Sequence, residues 1–269
     1  MKRAGIVASL FLVFAWAVGA RADDPWEVAQ TTNDDAFLTM NQLVHGRPQT
    51  HDLQGVSSGA TATDQDWSVV ATSPQHSYEV RAFGTNICWL SGNCSRLDRV
   101  DSTGAVVQPS GGPDLPLPSG TPGNVALRWI ATASQTELIR VRGPINGEVT
   151  TAQSVYDIEM LDTTVFLPRW NQSASQTTVL IIQNTSSTSV QGQVDFYDAT
   201  GAPAGNALLN VPLKGVQLIN CASVFGLPGK SGSATLSHFG GYGDLTGKAV
   251  TLEPATGFTF DTAFTLLPR

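Results

Sequence analysis

Charge is scarce in this chain. Of its 269 residues only 14% are Asp, Glu, Lys or Arg, against roughly 25% in an ordinary soluble domain. The balance is acidic, with a net charge of -7 and a pI of about 4.9. No cluster of Lys or Arg follows the first three residues. A polyanion is therefore repelled, and no basic stripe offsets the repulsion, which argues against nucleic acid as a partner. Cysteine is scarce too, at three, and there are four His. No Gly-x-Ser-x-Gly elbow and no His-Glu-x-x-His pair occurs, so the common hydrolase signatures are missing. Long helical periodicity is missing as well. Only Asp34–Leu43 gathers apolar residues (Ala36, Phe37, Met40, Leu43) on one side, enough for a turn or two. Hydrophobic residues nevertheless make up 41% of the chain, enough to build cores, so extensive disorder is not expected.

One long apolar run is present, at the start. Lys2 and Arg3 precede an apolar stretch from Ala4 to Val18, and Ala20-Arg21-Ala22 places small residues at the positions a signal peptidase reads. This pattern predicts a secretory signal peptide over residues 1–22, cleaved after Ala22. The run is too short for a bilayer, which takes roughly 20 residues. No later stretch is long and apolar enough to span one, so no membrane segment is expected in the mature chain. The expected location is outside the cytoplasm: periplasmic, cell-surface or secreted.

Cysteine placement agrees with export. Cys88 and Cys94 flank Ser91-Gly92-Asn93, and an oxidising compartment lets them bridge across that turn. A metal site is the competing reading, but no His or second Cys pair accompanies them. Cys221 lies in the alternating run Val216–Cys221 and reads as a buried, inert thiol. Each His, taken singly, reads as a surface or turn residue.

The rest of the chain predicts an all-β fold: two β-sandwich domains in tandem after the signal peptide, over 23–162 and 163–269. Runs rich in Val, Ile, Thr, Phe and Tyr recur between Gly, Pro, Ser and Asn. In the first part they are 67–71, 77–83, 96–100, 105–108, 125–133, 137–141 and 154–161. Residues 109–123, with nine Gly or Pro, read as a long surface loop. In the second part the runs are 165–170, 177–183, 190–197, 207–211, 215–220, 233–238, 247–253 and 259–267, with a hairpin connection over 198–206. A spacing near ten residues per strand predicts a seven- or eight-strand sandwich of immunoglobulin type. Gln191, Gln193 and Asp195 alternate with Val190, Val194 and Phe196, which predicts a wet sheet face. Val179-Leu180-Ile181-Ile182 predicts a central strand covered on both faces.

Candidate sites come from oxygen-rich clusters. Asn33-Asp34-Asp35 and Asp64-Gln65-Asp66-Trp67 carry the donors calcium takes. The plainer reading is that Asp34 caps a short helix and the others solvate a turn. The segment Asn33-Asp34 … Gly46 … Leu53-x-Gly55 … Asp64-x-Asp66-Trp67-Ser68-Val69 … Tyr78-Glu79-Val80 resembles the bacterial pre-peptidase C-terminal domain, over about residues 30–162. The resemblance implies a small β-sandwich attached to secreted bacterial proteins, often peptidases. Some collagen-binding members hold calcium in these regions, which makes Asn33, Asp34, Asp64 and Asp66 the candidate ligands. Ala29 and Thr31 stand where those members have Glu. The second part is similar to C-terminal sandwiches of uncharacterised secreted bacterial proteins, a resemblance that implies no activity.

Three functions follow. The first is an exported, non-enzymatic binding or envelope-associated protein that meets an extracellular or envelope ligand, protein or glycan. The second is a calcium-dependent carbohydrate- or matrix-binding module, with Trp89 in the Cys88–Cys94 loop as its exposed aromatic; Trp67 and Trp129 lie in strands and read as core. The third is a hydrolase whose site carries no familiar signature.

Overall fold

A computed structural model describes residues 41–52, 65–84, 96–109, 125–142, 155–173 and 175–269. Strands dominate these residues, and the one helical element is a three-residue 3-10 turn, Cys221–Ser223. The strands form four antiparallel sheets. The all-β expectation holds.

Two sheets use strands up to Asp162. One orders β1 (Gln49–Asp52), β8 (Val155–Asp162), β3 (Ser77–Gly84) and β6 (Val125–Ile130); the other orders β2 (Gln65–Thr72), β7 (Gln135–Arg142), β4 (Arg96–Val100) and β5 (Val106–Pro109). Their inner faces meet over Val70, Val80, Leu97, Leu127, Ile139 and Ile158 among others. Alternation does the sorting. In β6, Val125, Leu127 and Trp129 are buried while the residues between them are half-exposed, as a period of two requires. Trp129 belongs to this core. Trp67 is buried too, but on the outer face of β2, where the Arg140 guanidinium covers its ring at 5.3 Å.

The other two sheets use strands from Val165 onward. One orders β12 (Pro203–Val211), β11 (Val190–Asp198), β14 (Ser231–His238), β9 (Val165–Asn171) and β17 (Thr265–Leu266); the second orders β13 (Val216–Asn220), β10 (Thr177–Asn184), β15 (Leu245–Glu253) and β16 (Phe258–Ala263). Trp170 is fully buried between them, edge-on to Phe196 at 5.7 Å, and its indole N–H donates to the Ser233 carbonyl at 2.8 Å. Cys221 sits in the same core with no solvent exposure. Burial pushes its thiol up to about 12, so it is the inert side chain expected.

Two hairpin turns share one pattern, Asp-x-Thr-Gly-Ala. Asp101-Ser102-Thr103-Gly104-Ala105 joins β4 to β5, and Asp198-Ala199-Thr200-Gly201-Ala202 joins β11 to β12. In both, one carboxylate oxygen accepts from the Thr N–H, the Thr hydroxyl and the Ala N–H. In both, Gly takes a positive φ, +82° and +84°, a region closed to most side chains. Those bonds hold both carboxyls below the usual carboxylate range, the Thr hydroxyl contributing most.

Several expectations need correction. Asn41–Leu43, the end of the expected helix, is extended. The Leu43 N–H donates to Val69 O at 3.0 Å and the Val69 N–H to Asn41 O at 2.8 Å, so β2 claims this backbone. The second part has nine strands instead of seven or eight. The 198–206 connection is shorter than expected, because β12 begins at Pro203. β10 is a central strand as expected, between β13 and β15, but Leu180 and Ile182 are fully buried while Val179 and Ile181 are half-buried, so its second face is covered only in part. Two His are core residues: His51 stacks on Tyr156 at 5.6 Å, and the Nδ1 of fully buried His238 accepts the Gly240 N–H at 3.1 Å.

Candidate functional site

The sequence-predicted site residues fall mostly outside the described residues: Asn33, Asp34, Asp64, Cys88, Trp89 and Cys94, and with them the signal peptide over residues 1–22 and all of the 109–123 loop except Pro109, which ends β5. Asp66 is described. It lies on the inner face of β2, only 2% exposed, and its Oδ2 accepts the Tyr156 hydroxyl at 2.7 Å. Tyr156 stacks on His51, whose Nε2 lies 3.1 Å from Gln49 Oε1. Asp66 thus belongs to a polar cluster inside the first sandwich. Among the described residues, no group of three or more His, Cys, Asp or Glu gathers to hold a metal. No helix among them is long and apolar enough to cross a membrane.

The more informative region is where the two sheet pairs meet. Only Thr163 and Thr164 connect β8 to β9, and both are fully buried. The Thr163 N–H donates to Ser77 O at 2.8 Å, its hydroxyl donates to Ser77 Oγ at 2.9 Å, and the Ser77 N–H donates to Thr164 Oγ1 at 2.9 Å. Such a connection has little slack, since both backbone N–H groups are held, that of Thr164 by Asp162 Oδ1 at 3.0 Å.

Charge completes the junction. Glu79 and Arg128 are cross-strand partners in β3 and β6, and the Arg128 Nε donates to Glu79 Oε1 at 3.0 Å. Glu79 Oε2 accepts the Tyr242 N–H, from the turn after β14, also at 3.0 Å. Nearby, His76 Nδ1 lies 2.7 Å from Asp162 Oδ2, and the His76 ring meets Phe166 edge-on at 5.7 Å. The Tyr197 hydroxyl donates to the Gln75 side-chain carbonyl. The chain's last residues return to the same place: His45 Nε2 lies 3.1 Å from Pro268 O, and the Arg269 guanidinium covers the Tyr242 ring at 4.6 Å. His238 is buried here. Desolvation pushes it down to about 4, with the Arg128 charge adding to this and the Thr163 backbone, Glu79 and Asp162 opposing it.

This junction overturns the expected wet face. Gln191, Gln193 and Asp195 do share the outer face of β11, but Gln193 is half-buried and Asp195 is 6% exposed. The Asp195 Oδ1 accepts from the Gln193 amide, and desolvation raises its carboxyl above the usual carboxylate range, with that hydrogen bond opposing.

Between the outer face of β11–β12 and the end of β6 lies an open groove of about 380 Å³. Ile130 comes from the first sandwich; Gln191, Gln193, Leu208, Asn210 and Phe239 come from the second. Gln191 pairs with Asn210 and Gln193 with Leu208 across the two strands, so the four alternate on one face. Gly192 permits the close strand approach here: a Cβ would stand 2.1 Å from Ser237 O. Sequence reasoning missed the groove. It saw the amides but not that another sheet pair walls them.

No protein-family model matches the chain, and no curated protein matches it. Among solved structures, the chain is similar to the extracellular region of zebrafish Gpr126/Adgrg6, at 7% identity and a TM-score of 0.29, over 85% of this chain. It is similar to a protein from Eubacterium rectale at 11% identity and a TM-score of 0.28, over 82% of this chain and 74% of that one. It is also similar to a glycosyl hydrolase family 2 member from Bacteroides cellulosilyticus DSM 14838, at 10% identity and a TM-score of 0.23, over 75% of this chain. The chain spans about a third of the Gpr126 region (33%) and 29% of the hydrolase. At these TM-scores the likeness decides neither fold family nor activity.

Proposed function

We propose that the chain is an exported, non-enzymatic binding module, and that the junction groove is its ligand surface. The observation that carries this reading is the groove's construction. Side chains from both sheet pairs line it, and Leu208 (76% exposed) and Phe239 (47% exposed) stand at its wall with little cover. Exposed apolar side chains grouped at a concave site are where ligands gain most from desolvation. Export rests on the signal-peptide pattern over residues 1–22. The first sandwich is read as pre-peptidase C-terminal-like on the motifs around Asp64 and Tyr78.

The test has two arms. Cells expressing the full chain should yield an exported mature form whose N-terminus is Asp23. That form should cosediment with the envelope fraction of the same cells, and Leu208→Arg should cut the bound fraction at least tenfold. Retention in the cytoplasm with an intact N-terminus contradicts the export reading. Equal sedimentation of wild type and Leu208→Arg contradicts the groove as ligand surface.

A further inference from the structure

We infer that the groove takes a neutral, hydroxyl-rich ligand, a segment of an uncharged glycan; this rests on the groove being the ligand surface.

Gln191 and Asn210 are exposed, and among the described residues their side-chain amides make no hydrogen bond. Each therefore offers both an N–H donor and a carbonyl acceptor toward the groove. One Gln193 N–H is committed to Asp195, and its carbonyl oxygen remains as an acceptor. A sugar hydroxyl both donates and accepts, so three amides on neighbouring positions of two paired strands match a run of hydroxyls. Apolar side chains laid over the same amides would leave them desolvated and unpaired.

The walls complete the match. Phe239 is held at the groove by its own backbone, its N–H donating to Gln191 O at 2.9 Å. Its half-exposed ring, with Leu208 and Ile130, supplies an apolar surface for the C–H face of a sugar ring. No lining residue carries a charge. An anionic polymer meets the chain's net charge of -7 and the buried Asp195 carboxylate behind Gln193. The volume, about 380 Å³, is at the small end for ligand sites, which span roughly 300–1,000 Å³. It fits a short stretch of a chain that continues into solvent at the open side.

The experiment is isothermal titration of the mature full chain with cellohexaose, maltohexaose and chitohexaose. A sulfated heparin hexasaccharide and an apolar hexapeptide serve as competing chemistries. The expected result is saturable binding of at least one neutral hexasaccharide, weakened at least tenfold in both Asn210→Ala and Phe239→Ala. Asn210 is exposed and makes no side-chain bond, so Asn210→Ala should melt with the wild type and keep the test readable. No binding of any neutral hexasaccharide overturns the glycan assignment, and so does binding that neither variant changes. Phe239-dependent binding of the hexapeptide or the heparin fragment alone also overturns it, yet leaves the groove as a ligand surface. Only equal envelope sedimentation of wild type and Leu208→Arg removes that wider reading.

Discussion

Glu79 and Tyr242 are 163 positions apart in sequence, and one hydrogen bond of 3.0 Å joins them. The same carboxylate holds Arg128 with its other oxygen. A charge that is 4% exposed thus reaches from the first sandwich to the second, and leaving either partner unpaired is costly. Glu79→Ala should destabilise the protein by about 2–3 kcal/mol. It should also split a single calorimetric unfolding transition into two. A single transition at the wild-type temperature in the variant would contradict the role given to Glu79.

His238 gives the protein an acid limit. Its folded value, about 4, lies below the ordinary 6.5. A depressed folded value means the unfolded chain takes up the proton first. The neutral imidazole therefore costs nothing above pH 6.5, and stability drains away as pH falls from 6.5 to about 4. The loss is about 3 kcal/mol over that window. Chemical denaturation at pH 7, 5.5 and 4.5 should show the decline, and His238→Gln should flatten it. An identical decline in His238→Gln would assign the acid sensitivity elsewhere.

Asp195 acts in the opposite sense. Its carboxyl is raised by desolvation, and among the described residues its Oδ2 has no hydrogen-bond partner. A raised carboxyl penalises the folded state above its folded value and not below the unfolded one. Asp195→Asn keeps the shape and removes the charge. It should stabilise the protein at pH 7 by about 1 kcal/mol and give no gain at pH 3. Destabilisation at pH 7 would mean that the carboxylate has a charged partner.

Asp98 is 1% exposed and receives both Arg140 and Arg142, at 3.1 and 2.9 Å. Removing it leaves two guanidiniums on β7 without their counter-charge, next to Trp67. Asp98→Ala should cost about 3 kcal/mol, read as a fall in the urea midpoint at unchanged slope. A loss under 1 kcal/mol would place this pair with ordinary surface bridges.

Much of the architecture was legible in the sequence, because period-two alternation reports burial directly. The runs at 77–83, 96–100 and 190–197 became β3, β4 and β11 with ends shifted by two residues or fewer. β1 was not legible: Gln49-Thr50-His51-Asp52 has no apolar residue, yet it pairs with β8 and buries Gln49 and His51. The repeated Asp-x-Thr-Gly-Ala turn was in plain sight and passed unread, since each copy looked like an ordinary turn. The groove was illegible for a different reason. Alternation around Gln191, Gln193 and Asp195 says that a face is polar. It does not say what lies over that face, because the placement of Ile130 beside β11 in one groove leaves no local trace in either segment.

The most direct test of the junction is hydrogen exchange at a single amide. The Tyr242 N–H should be strongly protected in the native mature chain at pH 7, because it is held by a buried carboxylate. In Glu79→Ala its exchange should quicken at least a hundredfold, while amides deep in β14 keep their rates. Exchange of the Tyr242 amide at the unprotected rate in the wild type would contradict the junction, and with it the groove that depends on both sandwiches.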